Sequence, residues 1–116
     1  MSQLTQAMSE GELAEALQVA SELVTAAPDY AEAWNKRATI HYLMGNYDAS
    51  VADIRETLLR EPRHFGAISG LGLIFLRVNN VPAAVTAFEQ VLLITPASVS
   101  ARVSLEQAKR KLEQGI

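Results

Sequence analysis

The chain of 116 residues offers little with which to do covalent chemistry: two histidines, 13 carboxylates and no cysteine. Neither His41 nor His64 has a second histidine or a cluster of acids at ligand spacing, so no metal site is expected. The lack of cysteine removes disulfides, thiolate ligands and thiol catalysis together. Gly66, Gly70 and Gly72 are spaced neither as a dinucleotide fingerprint nor as a phosphate loop, and no strand pattern precedes them. Serine, histidine and aspartate all occur, yet nothing brings them to one pocket as a nucleophile and its base would require. The chain reads as no enzyme, with no catalytic residue, no cofactor and no metal.

Composition points to a scaffold instead. Hydrophobic residues at 49% and charged residues at 20% suit a folded domain. The longest apolar stretch, residues 71–76, falls well short of the ~18–20 residues that cross a bilayer. The N-terminus shows no basic segment followed by an apolar one, so a cytoplasmic protein with no membrane partner is expected. Residues 1–58 carry three bases against nine acids, a charge of −6, and residues 59–116 carry seven against four, +3. Such a gradient can steer a charged partner or favour contact between copies. A pI near 5.3 argues against a nucleic-acid partner.

The elements that hold these residues follow a fixed beat. Pro28, Pro62 and Pro96 are evenly spaced along the chain, and the same shift aligns Ala33 with Ala67 and Ala101, and Ala16 with Ser50 and Ala84. It also brings Gly11, Gly45 and Asn79 to one turn. Within each copy, two stretches of helical periodicity flank that turn. Helices are predicted over about 30–44, 47–60, 64–78 and 82–94, with Asp29 and Glu32 as N-cap and capping-box partner of the first. Ala49, Ala52, Ile54 and Leu58 are the expected packing residues of the second. Pro82 suits a first helical turn, and His64 is expected to be exposed at the hinge after Pro62. The first copy is truncated, with a short opening helix over roughly Gln3 to Ser9, and Ser98 caps a last helix to about Leu112. The chain therefore divides into a truncated repeat (1–28), two full repeats (29–62 and 63–96) and a capping helix (97–116), all stacking into one core because a single hairpin cannot bury its own apolar face.

At these residues the chain resembles the tetratricopeptide-repeat family, whose 34-residue signature is W-x2-L-G-x2-Y, then A-x3-F, then P. The middle copy offers Trp34, Ala38 and His41, then Ser50 and Ile54, then Pro62. The third offers Ile68, Leu71, Gly72 and Phe75, then Ala84 and Phe88, then Pro96. The resemblance implies an all-α fold, a right-handed α-solenoid. Arg37 and His41 depart from the Leu and Tyr of the signature. They either line a polar pocket or are satisfied at a helix–helix seam, with Arg37 reaching an acid.

The resemblance further implies a protein-binding module whose partner, a peptide or helix, lies in a concave groove lined by the first helix of each pair. Excluding the core arc leaves Glu32, Asn35, Lys36, Thr39, Tyr42 and Leu43 on that side of the middle copy. The third copy contributes Gly66, Ser69, Gly70, Leu73, Leu76 and Arg77, and the last helix Val103, Gln107 and Arg110. Affinity is expected from Tyr42, Leu43, Leu73 and Leu76, and register from Asn35, Lys36, Ser69 and Arg77. One subclass of the family grips a partner's C-terminal carboxylate with Lys, Asn and Arg. Here the slots hold Met1, Thr5, Lys36, Gly66 and Gly70, so no such grip is expected. The alternatives are a self-assembly unit forming homo-oligomers, or part of a longer scaffold.

Overall fold

Residues that precede proline are pushed out of the helical region by the pyrrolidine ring, and that rule sets the architecture. In the computed structural model, which describes residues 9–114, Ala27, Glu61 and Thr95 adopt φ of −135°, −138° and −134° and end three helices just before Pro28, Pro62 and Pro96. The elements are α1 (Glu10–Ala26), α2 (Ala31–Leu43), α3 (Tyr47–Arg60), α4 (Phe65–Arg77), α5 (Val81–Ile94) and α6 (Val99–Glu113). No strand occurs among the described residues. The proline beat holds to the residue: shifted by one period, the bounds of α2 fall on those of α4, and the bounds of α3 on those of α5. The fold is an all-α helical repeat.

The other turn of each copy ends in a left-handed residue. Gly45 has φ +80° and Asn79, at the equivalent slot one repeat later, has φ +63°. Their amides bond to Tyr42 and Leu76, while the next amides, Asn46 and Asn80, reach back to the carbonyls of His41 and Phe75 at 2.8 Å. This paired closure satisfies carbonyls that a helix end otherwise leaves unbonded.

Four local expectations are corrected. Gly11 does not share the turn of Gly45 and Asn79; it lies in the first turn of α1, which starts early because Ser9 and Glu12 form a reciprocal capping box. Asp29 is not the cap of α2. Tyr30 holds that position and makes no side-chain cap bond, because Pro28 and Asp29 are spent in the preceding turn. Glu32 instead pairs with Lys36. His64 is not an exposed hinge residue but the N-cap of α4, half-buried, its Nδ1 accepting from the Ala67 amide at 3.0 Å. Ala52, expected to pack, is exposed. The opening helix placed over Gln3 to Ser9 lies outside the described residues, except for Ser9.

The described residues fall into two compact units, one up to Pro62 and one from Arg63. In the first, Leu13, Ala20 and Ile40 form a buried cluster with Ala16 and Leu17 against it. In the second, Val81, Ala84, Phe88, Leu105 and Ala108 are buried together, with Phe75, Leu76, Val85 and Leu92 packed around them. Fully burying one such aliphatic or aromatic side chain stabilises by about 1.5–3 kcal/mol. Gly72 explains how α4 approaches α5 so closely: a Cβ there would stand 2.7–3.0 Å from three atoms of the Phe88 ring.

Candidate functional site

A helix turns about 100° per residue, so α2 presents Asn35, Thr39, Leu43 and Lys36 within a single arc, with Tyr42 at its edge. The buried residues Ala31, Ala33, Ala38 and Ile40 lie outside it. Thr39 is exposed and Leu43 is 38% exposed; Asn35, Lys36 and Tyr42 are half-buried. Local bonds restrain this face. Thr39 Oγ1 donates to the Asn35 carbonyl at 3.1 Å, Lys36 Nζ stands 3.8 Å from Glu32, and the Tyr42 ring lies 5.7 Å from that of Tyr47.

In the second unit, α4 presents the matching arc. Leu73 is 39% exposed at its centre and Arg77 is exposed, while Ser69 and Gly70 are half-buried. Leu76 belongs partly to the interior, since it packs against the buried cluster around Phe88. The apolar weight of this arc therefore falls on Leu73. On α6, Val103, Gln107 and Arg110 are all exposed.

The polar residues that depart from the signature form no pocket on this face. Arg37 is clamped in two-pronged fashion on Asp53 of α3, Nε at 2.8 Å and Nη2 at 2.9 Å from the two carboxylate oxygens, and its Nη1 reaches Ser21 Oγ of α1 at 3.4 Å. One guanidinium thus ties three helices. Asp53 is 4% exposed, and its hydrogen bond raises the Arg37 pKa above the ordinary value, outweighing the lowering by burial. His41 Nε2 lies 3.9 Å from the same carboxylate, and its Nδ1 is buried without a hydrogen-bond partner. The ring occupies the slot that Phe75 fills in the next copy. The geometry selects the seam reading for Arg37; His41 lies at the same seam but with Nδ1 unsatisfied. Asp53 is the residue that sequence reasoning missed, and a signal existed: it stands at the slot of buried Ala87.

Trp34 is equally structural. Its Nε1 donates to the Pro28 carbonyl at 2.9 Å, Arg60 Nε bonds the same carbonyl, and the Arg60 guanidinium stacks 4.6 Å over the indole. Arg102, at the slot of Trp34 on the last helix, keeps the bond without the ring, donating to the Pro96 carbonyl at 2.9 Å. Among the described residues no three metal-ligating side chains are grouped, and no helix is long and apolar enough to cross a membrane.

Known proteins share this geometry. The family model described as Tetratricopeptide repeat matches residues 5–49 and 35–101. A TPR repeat-containing protein of Rhizobium etli is 42% identical over 97 residues, covering 84% of this chain and 48% of that protein. The chain thus spans about half the length of this curated relative. The Sgt2 TPR domain of Aspergillus fumigatus superposes with a TM-score of 0.84 at 23% identity, over 98% of this chain and 77% of that one. The second TPR domain of human RPAP3, solved with an HSP70 peptide, gives 0.77 at 22% identity, over 86% and 83%.

Proposed function

Since the chain belongs to the tetratricopeptide-repeat family, we propose that it is a non-catalytic, cytoplasmic protein-interaction module that takes a peptide or helix of a partner protein on the exposed faces of α2 and α4. The observation that carries this reading is the pair of apolar side chains, Leu43 and Leu73, left 38% and 39% exposed on the corresponding faces of repeated helices. What distinguishes them from apolar residues exposed elsewhere is their place on the helix faces that the family resemblance implies for partner binding, with polar groups beside them. Alternate anchors along a helix face and polar groups beside them suit an amphipathic or extended segment. Asn35, Lys36, Thr39, Ser69 and Arg77 would set register, Tyr42 and Leu76 would contribute from the edges, and Gly70 would admit close approach.

RPAP3 domains are solved with HSP90 and HSP70 peptides, but the partner proposed here is different in chemistry. A C-terminal carboxylate needs cations and amides at set slots. Here Gly66 and Gly70 bring no side chain, and Lys36 is already beside Glu32. The partner is therefore a mainly apolar segment rather than an acidic chaperone tail. The Rhizobium relative's greater length also supports a second reading, in which these repeats form part of a longer scaffold.

Affinity capture from a lysate of the source cell tests the proposal, with wild type beside Leu73→Glu and Leu43→Glu. A protein retained by wild type and lost from both variants supports it. Equal retention by all three overturns it, and recovery of the chain alone would point to self-assembly.

A further inference from the structure

We propose that the second and third copies carry mutually incompatible hairpin interfaces, so that α2 pairs with α3 and not α5, and α4 with α5 and not α3. Helices of equal length at equivalent slots of one chain create alternatives: α2 and α4 are each 13 residues long, and α3 and α5 each 14. A crossed pair, formed within a chain or with a second copy, would match in length and spacing. Something other than the repeat pattern must reject it.

Two exchanges at equivalent slots do so. The first is electrostatic. Arg37 and His41 on α2 face buried Asp53 on α3, whereas the equivalent slots of the third copy hold Leu71, Phe75 and Ala87. Pairing α2 with α5 would set the Arg37 guanidinium against Ala87 and cost it both bonds to the Asp53 carboxylate. Pairing α4 with α3 would bury the Asp53 carboxylate against Leu71 and Phe75 with no donor. The larger penalty falls on Asp53, 4% exposed, because a buried charge stripped of its partner is strongly unfavourable, and such pairs can select one packing over others.

The second exchange is steric and independent of charge. Gly72 lies under the Phe88 ring, at a distance that leaves a Cβ no room. The equivalent slots in the second copy hold Ala38 and Ile54, 2% and 3% exposed. In an α2–α5 pair the Ala38 methyl would meet the Phe88 ring. In an α4–α3 pair, glycine opposite isoleucine would leave a void. Each wrong pair fails on both counts, and each right pair satisfies both.

The test equalises the interfaces. One variant gives the second copy the set of the third: Arg37→Leu, Ala38→Gly, His41→Phe, Asp53→Ala and Ile54→Phe. A second makes the reverse transfer: Leu71→Arg, Gly72→Ala, Phe75→His, Ala87→Asp and Phe88→Ile. A control exchanges the charges in place, Arg37→Asp with Asp53→Arg. Wild type and control should give one set of amide resonances and one species by size-exclusion chromatography with light scattering. The equalised proteins should keep their helical circular dichroism but show a second resonance set from at least about a tenth of the molecules, the upper range of a minor state, or a concentration-dependent larger species. If both stay single and unchanged, or both lose helicity, the proposal fails, because the two sets would then stabilise their own pairs without excluding others.

Discussion

Replacing Gly72 by alanine gives a sharp physical test of the α4–α5 contact, because two opposing terms of known size meet at one atom. Alanine is favoured over glycine in a helix interior by about 1 kcal/mol, so an unobstructed site would gain that much. Here the new methyl would lie 2.7, 2.8 and 3.0 Å from atoms of the Phe88 ring. The ring is 1% exposed and held by Val81, Ala84, Leu105 and Ala108, so it has nowhere to withdraw. Overfilling a packed core costs about 1–3 kcal/mol, which leaves a net loss of up to about 2 kcal/mol. The sign alone is a weak criterion, so the background is varied. In Phe88→Leu the obstructing ring edge is gone, and Gly72→Ala should become neutral or stabilising. Urea unfolding of the four proteins yields the coupling, expected at about 1 kcal/mol or more for groups in contact. A gain of about 1 kcal/mol from Gly72→Ala in both backgrounds would mean that the Phe88 ring does not obstruct the site.

Other consequences can be checked with the same instruments. Asp53→Ala removes both carboxylate bonds from the partly exposed Arg37 guanidinium and should cost about 1.5–3 kcal/mol, measured by urea unfolding, whereas a loss under about 1 kcal/mol would mean that Ser21 or water replaces the carboxylate. Ala84→Leu overfills a slot that is fully buried beside Phe88 and should lower stability by about 1–3 kcal/mol, read from the shift of the thermal midpoint. Ser9→Ala removes the capping box of α1 and should cost about 1 kcal/mol, seen in amide exchange as faster opening of the first turn only. A peptide ending in Glu-Glu-Val-Asp should give no heat in isothermal titration calorimetry, and measurable saturable binding would show that these faces can take a terminal carboxylate.

The repeat made much of the fold legible. Prolines at a fixed spacing, each forcing the preceding residue out of the helix, marked where α1, α3 and α5 stop, and Gly45 and Asn79 marked the intervening turns. Illegible features were those where side chains compete locally or meet over distance. Asp29 and Glu32 have capping-box spacing, but the turn after Pro28 moves the cap to Tyr30. Gly11 fits the turn register, but the Ser9–Glu12 box draws the helix over it. The Arg37–Asp53 pair joins two helices, and no short-range pattern predicts which acid an arginine will reach. Comparing equivalent slots would have found it, since charge in one copy stands where the next has Leu71 and Ala87. Among the face residues, helical spacing sets Leu73 and Leu76 side by side, and only packing distinguishes the exposed one from the one drawn into the core.

Whether the faces of α2 and α4 receive a partner can be read directly by site-specific photocrosslinking in the source cell. A photoreactive phenylalanine analogue replaces Leu73 in one protein, and in another replaces Leu59, which is 71% exposed on α3. A discrete crosslinked adduct with another protein is expected from position 73 and none from position 59. An adduct from position 59 with none from position 73 would place the contact surface on α3 and contradict the proposed site.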